Sequence, residues 1–173
     1  MIIVGYPGTG KSTMAKKCAE VVDLESSVFR DRGSKDGWIG GDKGLNSYIW
    51  LATNLNDDGK VVCISAHKEV REKLLSDSRV NVKDVCYICP KPSDRDKWVS
   101  HLYDRWIKTT DMKDWYAYTR AQKSFDKDVE SMLKDREKGV KVIEISVDDL
   151  KDGLMLYLIH KGIVKPSSEK GES

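Results

Sequence analysis

The sequence has little that is typical of a membrane protein, a secreted protein or a strongly nucleic-acid-binding one. No apolar run approaches the roughly 18 to 20 residues that span a bilayer, and no secretory signal peptide precedes the apolar residues 1–5. The 30 basic and 28 acidic residues nearly cancel to a formal charge of +2, so no global positive field favours nucleic acid. We therefore expect a cytoplasmic protein with no membrane partner.

Cysteine is also scarce, and the chain holds only Cys18, Cys63, Cys86 and Cys89. Reduced thiols suit a cytoplasmic protein. Cys86 and Cys89 form a C-x-x-C, a spacing typical of metal or redox pairs, but they lie within an apolar run and no second Cys or His pair follows nearby. We expect them to be core residues of a strand.

Short apolar runs alternate with helix-like stretches, which predicts an α/β protein with a parallel sheet covered by helices on both faces. Strands are predicted at residues 1–4, 20–22, 60–65, 84–89 and 141–145. Helices are predicted at 12–19, 46–56, 68–75, 93–108, 112–138 and 147–160, with a loop at 30–45 and a disordered tail at 166–173. No repeat or linker divides the chain, so one domain is expected over residues 1–165.

The run from Gly5 to Ser12 matches G-x-x-x-x-G-K-[ST], the pattern of a phosphate-binding P-loop. Its glycines let successive N–H groups point inward as an anion nest, and the following helix adds its positive end. Lys11 reaches the β- and γ-phosphates, and the hydroxyl of Ser12 ligates magnesium. The motif lies between an apolar strand and a helix, so it predicts binding of ATP with Mg²⁺. The nucleotide-binding residues are then Gly8, Thr9, Gly10, Lys11, Ser12 and Thr13.

Two further absences narrow the class of P-loop protein. There is no Asn-Lys-x-Asp run of the kind that reads guanine in GTPases. The third strand ends in Ser65-Ala66-His67, without the carboxylate that a hydrolytic motor ATPase uses to hold magnesium and orient water. A compact kinase is the class that remains.

Three stretches, residues 5–13, 21–27 and 65–71, resemble the small nucleotide-kinase-like P-loop proteins common in bacteriophages. The resemblance implies a three-layer α/β/α P-loop NTPase fold with a five-stranded parallel sheet and a short helical lid after the fourth strand, here residues 91–120. It also implies transfer of the γ-phosphoryl group of ATP to a nucleotide acceptor, first of all a (deoxy)nucleoside monophosphate.

Site residues follow from the same resemblance. Asp23, with Glu25 beside it, is expected to face the acceptor, either positioning it or removing a proton from an attacking hydroxyl; the alternative is that Asp23 only ends a strand. Arg71 is expected to clamp an acceptor phosphate, unless it lies on a solvated helix face with Glu69 and Glu72 as partners.

Aromatic and lid residues complete the predicted site. In the loop 31–45, Trp38 is expected to stack on a base with Tyr48 beside it, although packing is the alternative for both. A kinase lid is expected to carry arginines that neutralise the transferring phosphoryl group. The candidates are Arg105 as the catalytic one, then Arg95 and Arg120, with His101 at the place of an earlier arginine; surface salt bridges are the alternative for each.

Two other functions fit the same motif. A polynucleotide kinase, or a kinase acting on hydroxymethylated bases in DNA, would use Asp23 as a base and need a basic groove, which the small net charge disfavours. A nucleotide-binding module without turnover is the third hypothesis, because His101 stands where a lid arginine is expected.

Overall fold

The computed structural model describes residues 1–35 and 37–165, so Asp36 and the predicted tail at 166–173 lie outside it. Five strands form one sheet with every neighbouring pair parallel, as the sequence predicts. They are β1 (Ile2–Gly5), β2 (Val21–Asp23), β3 (Val61–Ser65), β4 (Val85–Pro90) and β5 (Lys141–Ile145), in the order β2-β3-β1-β4-β5.

The central strands are continuous apolar runs because both faces of the sheet are covered. All four residues of β1 and all six of β4 are buried. Gly5 at the end of β1 pairs with Ser65 of β3 on one side and Ile88 of β4 on the other. The carboxyl ends of these strands therefore lie at one edge of the sheet.

Within the described residues, six α-helices accompany the sheet: α1 (Lys11–Lys17), α2 (Asp42–Asp57), α3 (Lys68–Ser76), α4 (Arg95–Thr109), α5 (Met112–Lys134) and α6 (Leu154–His160). Helix α1 packs against α6, α2 packs against α3, and α4 and α5 form an antiparallel hairpin. Right-handed crossovers in this strand order send α1 to one face and α2 and α3 to the other. The arrangement is compatible with a three-layer α/β/α architecture.

Helix α2 begins at Asp42, inside the segment predicted as loop, because glycine shapes its start. Gly41 at the N-cap has φ 63° and ψ −131°, a conformation that residues with a side chain avoid. A Cβ on Gly44 would lie 2.4 Å from the carbonyl oxygen of Ile39, so the chain folds back on itself within the first helical turn. The predicted loop at 30–45 is therefore too long, because these glycines permit an earlier helix start.

The final predicted helix, 147–160, is wrong in its first half. A 3₁₀ turn at Asp148–Leu150 comes first, and Gly153 at φ 91° separates it from α6. Asp149 accepts hydrogen bonds from the backbone N–H (2.7 Å) and the hydroxyl (2.9 Å) of Ser146, which holds the turn apart from the helix. Helix α5 likewise stops at Lys134, and a 3₁₀ turn covers Asp135–Lys138.

The four cysteines are free thiols. Cys86 and Cys89 are fully buried in β4, which confirms their prediction as core residues. Burial raises the pKa of Cys86 to about 11 and that of Cys89 to about 12, so neither thiol ionises near neutral pH. Among the described residues, no helix combines the length and apolar character needed to cross a membrane.

Candidate functional site

The strand order creates a crevice at the carboxyl edge of the sheet. From β1 the chain passes over β3 to reach β2, and from β3 it passes over β1 to reach β4, so the connections leaving β1 and β3 diverge. Ligands of open parallel sheets bind where neighbouring connections diverge in this way. Three segments meet there: the loop at residues 6–10 after β1 (the glycine loop), Asp23 at the end of β2, and residues 65–67 after β3.

Glycine is required at Gly8 and Gly10 of the glycine loop and at Gly5, the last residue of β1. Gly8 and Gly10 both have φ 88°, in the left-handed region that disfavours a Cβ. Gly5 has no such torsion, but a Cβ there would lie 2.8 Å from both Lys11 Cδ and Thr9 Oγ1. The lysine chain therefore passes directly over the start of the loop, which is possible because Gly5 has no side chain.

The glycine loop is closed by its own hydrogen bonds. Thr9 Oγ1 donates to the Tyr6 carbonyl oxygen at 2.9 Å, and Lys11 Nζ donates to the carbonyl oxygens of Gly5 (2.7 Å) and Tyr6 (3.3 Å). Burial lowers the pKa of Lys11, while the negative charge of Asp23 opposes that shift. The ammonium group thus lies at the centre of the loop, held by neutral carbonyls that an anion can replace.

A hydroxyl and a carboxylate meet beside the loop. Ser12 Oγ donates a hydrogen bond to Asp23 Oδ2, and both Ser12 and Thr13 are exposed on the first turn of α1. Glu25, two residues further on, is exposed and accepts from Ser27 Oγ at 2.9 Å. Mg²⁺ is commonly held by one or two carboxylates together with substrate phosphates. The oxygens of Ser12 and Asp23 fit that chemistry, although the described residues include no cluster of three or more acidic, histidine or cysteine side chains.

Helix α4 lies directly against the glycine loop. Trp98 Nε1 donates to the Pro7 carbonyl oxygen at 2.9 Å, and His101 Nε2 lies 3.2 Å from the Gly8 carbonyl oxygen. A Cβ on Gly8 would lie 2.9 Å from Leu102 Cδ2. His101, which the sequence places where a lid arginine is expected, therefore contacts the loop backbone.

Arg105 lies one turn further along α4 than His101. Its positive charge contributes to lowering the pKa of both Lys11 and His101. Its guanidinium pairs with the buried Asp114 at 2.6 Å, while its Nε is buried and has no partner among the described residues. Arg105 is thus anchored by Asp114, and its charge acts on Lys11 and His101.

Arg95, the second lid candidate, is placed differently. It is exposed at the start of α4 and pairs with Asp96 (3.2 Å) and with Asp126 of α5 (3.4 Å). Neither partner belongs to the crevice, so the structure agrees with the surface salt-bridge interpretation for Arg95.

Arg120, the third candidate, approaches the crevice from α5. Its Nε donates to Asp128 Oδ2 at 2.8 Å, and its Nη1 lies 2.6 Å from His67 Nδ1. Arg30 approaches from the other side and pairs with Glu69 at 2.8 Å. Burial, then the charges of Arg120 and Arg30, lower the pKa of His67 to about 3. The imidazole is therefore neutral between two guanidinium groups.

The predicted acceptor clamp is wrong for Arg71. This side chain is 2% exposed and its Nη1 pairs with Asp135, while its Nη2 donates to Ser131 Oγ at 2.6 Å. Ser131 lies in the last turn of α5 and Asp135 begins the 3₁₀ turn that follows it, so the guanidinium ties α3 to the end of α5 inside the protein. The alternative is also wrong, because Glu69 and Glu72 pair with other side chains.

The predicted base-stacking pair is likewise part of the core. Trp38 is 2% exposed, with the Arg30 guanidinium 4.0 Å from its ring centroid on one side and the Tyr48 ring 5.7 Å away. The Tyr48 hydroxyl donates to the Leu24 carbonyl oxygen at 2.8 Å and accepts from Ser65 N at 3.0 Å. Both rings support the floor of the crevice and present no face to a ligand.

Two contacts at the site had no clear signal in the sequence. Trp98 has apolar neighbours at helical spacing, and its hydrogen bond to the glycine loop depends on the tertiary position of α4. Asp128 reads as one of many charges on an amphipathic helix, yet it orients Arg120.

A groove of about 480 Å³ runs along the outer face of α4 beside His101. Lys97 of α4 and Asp148, which follows β5, form an ion pair of 3.4 Å at its side.

In comparisons with known proteins, no family model matches the chain, and no curated protein matches it at a significant level.

Proposed function

We propose that the chain is an ATP-dependent phosphotransferase of the P-loop class, transferring the γ-phosphoryl group to a nucleotide such as a (deoxy)nucleoside monophosphate. The observation that carries this proposal is the convergence of the glycine loop, Lys11 and the Ser12–Asp23 pair at the carboxyl edge of a parallel sheet. A loop whose glycines hold the backbone open around an ammonium group is suited to a polyphosphate.

In this proposal each group has a separate task. Lys11 exchanges its bonds to the Gly5 and Tyr6 carbonyls for oxygens of the β- and γ-phosphates. Ser12 and Asp23 are the residues that would hold Mg²⁺, which would supply positive charge to offset that of the phosphates. We place the nucleoside of ATP in the groove of about 480 Å³ beside His101, the residue that contacts the loop.

The arginines available for the transferring group are Arg105 and Arg120. Each is held by one carboxylate, Asp114 and Asp128 respectively, and each acts electrostatically on a residue of the crevice. In phosphoryl transfer, positioned cations neutralise charge that develops on the equatorial oxygens. The α4–α5 hairpin that carries both arginines is then the counterpart of the predicted lid.

A hydroxyl acceptor is the second candidate, and one observation favours it. With Arg71 and Trp38 committed to the core, the groups beside the reacting end of the crevice are the carboxylates of Asp23 and Glu25. A monophosphate already carries an anionic oxygen, whereas a hydroxyl of DNA or of a hydroxymethylated base needs a base to take its proton. Asp23 or Glu25 can serve as that base.

The test is ADP release from Mg·ATP with a panel of acceptors: each nucleoside monophosphate, nucleosides, and 5′-hydroxyl or hydroxymethylated DNA. Lys11→Ala is the blank, and Lys16→Ala, an exposed lysine on the same helix, is the matched control for lost charge. We expect turnover with at least one acceptor, abolished by Lys11→Ala and retained by Lys16→Ala.

The acceptor that turns over separates the candidates. Turnover with monophosphates and none with DNA establishes the nucleotide kinase. Label on DNA alone moves the assignment to the hydroxyl acceptor. ATP binding without turnover on any acceptor leaves a nucleotide-binding module and refutes the phosphotransferase.

A further inference from the structure

Helix α5 is interrupted at Ser124, which has φ −140° and ψ 15° inside an otherwise continuous helix. The part after this kink packs into the core through Phe125, Val129 and Met132. The part before it forms the hairpin with α4 and leaves Met112 and Tyr116 exposed. The kink therefore separates the portion of α5 fixed to the sheet from the portion that carries Arg120.

Hydrogen bonds across the kink fix the direction of the Arg120 side chain. Ser124 Oγ lies 3.0 Å from the Arg120 carbonyl oxygen and 3.0 Å from Asp128 Oδ2, so its hydroxyl bridges the two turns. The same Asp128 oxygen accepts from Arg120 Nε at 2.8 Å. The guanidinium is thus held at its Nε edge by the fixed half of the helix.

His67 holds the other edge. It is the N-cap residue of α3, immediately after β3, and its Nδ1 lies 2.6 Å from Arg120 Nη1. Because a guanidinium in a protein is a donor only, Nδ1 must be the unprotonated nitrogen and the ring proton lies on Nε2. Burial first, and then the positive charges of Arg120 and Arg30, outweigh the opposing negative charge of Asp128 and keep the imidazole neutral.

The Nη2 group of the Arg120 guanidinium is held by neither of these contacts. Within residues 1–35 and 37–165, the Nη2 of Arg120 hydrogen-bonds to no protein atom. The charge of Arg120 acts on Tyr6 in the glycine loop, and the charge of Lys11 acts on His67. His67 follows β3, whose last residue Ser65 pairs with Gly5 of β1, so His67 and the Arg120 guanidinium that it contacts lie at the same edge of the sheet as the glycine loop.

We propose that His67 is a positioning residue: as a neutral acceptor it holds the Arg120 guanidinium so that Nη2 meets the phosphoryl group transferred over Lys11. This inference rests on the proposed phosphotransferase function. It differs from a purely structural role as a helix cap, because the action of His67 is exerted through Arg120 and through no other residue.

A double-mutant cycle separates these roles. We expect His67→Ala to lower kcat about tenfold or more while the KM for ATP changes less than about twofold, and Arg120→Ala to lower kcat at least as much. Because His67 acts through Arg120, adding His67→Ala to Arg120→Ala should lower kcat no further. His67→Asn, whose side-chain oxygen can accept from Nη1, should restore most of the activity. Lys127→Ala, an exposed charge on α5, is the control.

A second measurement does not depend on turnover. Nitrogen-15 NMR of the imidazole should show neutral His67 with its proton on Nε2, and Arg120→Ala should make the ring easier to protonate. Urea unfolding of each variant confirms that it is folded under the assay conditions. If wild type binds Mg·ATP without turnover, the proposed function fails, and the state of the ring with and without Arg120 then decides whether His67 holds the guanidinium.

Two results overturn the inference in an active enzyme. One is a loss of kcat on His67→Ala that is equally large with and without Arg120. The other is a protonated ring, or a proton on Nδ1, near neutral pH.

Discussion

Arg71→Met tests whether Arg71 holds the protein together or binds a ligand. Methionine keeps much of the volume of the side chain but removes the ion pair with Asp135 and the bonds to Ser131 and to the Ala66 carbonyl oxygen (3.3 Å). Asp135, which is 6% exposed, then remains as a buried carboxylate with one partner, Lys138 at 2.8 Å. Removal of one member of a buried ion pair costs about 3–5 kcal/mol.

The retained Lys138 contact places the expected loss near the lower limit, about 3 kcal/mol in the free energy of unfolding. The assay is urea unfolding of wild type and variant with a shared m-value. Arg79→Met is the control, since Arg79 pairs with Asp77 on the surface and should cost less than about 1 kcal/mol. Arg71→Met/Asp135→Asn should recover part of the loss, because the unpaired carboxylate is gone.

The opposite outcome would show that Arg71 binds a ligand. If Arg71→Met unfolds at the wild-type urea concentration and raises the KM of the acceptor by an order of magnitude, the guanidinium is functional and its buried position is wrong. A variant that is destabilised, with an unchanged KM, supports the structural role.

Three further predictions concern single contacts. The pKa of His67 is lowered to about 3 in the folded protein, against about 6.5 in the unfolded chain, so as the pH falls toward 5 the unfolded chain binds a proton at His67 that the folded protein does not. The free energy of unfolding at pH 5 should therefore be about 2 kcal/mol lower than above pH 7. Urea unfolding of His67→Asn should lack this part of the pH dependence. Gly44→Ala should destabilise by about 1–3 kcal/mol in thermal unfolding through its clash with the Ile39 carbonyl, where helix propensity alone predicts a gain. Trp98→Phe removes the hydrogen bond to Pro7 and should cost about 1 kcal/mol and weaken Mg·ATP binding in calorimetry; an unchanged affinity would show that α4 does not hold the loop.

The sheet was predictable because its strands are specified locally. The apolar run 61–64 lies in β3, where residues 62–64 are buried, and residues 141–145 form β5 at the predicted bounds. The short β2 is displaced by one residue, since two valines between acidic residues do not define where a three-residue strand starts. Helix starts were harder where glycine opens a helix, as Gly41 does for α2.

The site residues likewise divide into those placed by local sequence and those placed by tertiary packing. Lys11 and Ser12 are placed by the glycines within a few residues of them, so their arrangement follows from local sequence. Arg71 meets Asp135 across 64 positions, and Arg120 meets His67 across 53. No local pattern distinguishes an arginine that will find a buried carboxylate from one that will reach a ligand, and only the packing of α3 against α5 decides between them.

The distribution of charge along the crevice bears on the acceptor. At the glycine loop the charges are positive, from Lys11, Arg105 and Arg120, and such an end suits the phosphates of a donor. At the end of β2 they are negative, from Asp23 and Glu25, and Mg²⁺ would offset part of that charge. A dianionic monophosphate beside two carboxylates would need a cation that Arg71 does not supply, whereas a neutral hydroxyl would not. The acceptor panel should therefore include hydroxyl-bearing DNA from the outset, at the same concentrations as the monophosphates.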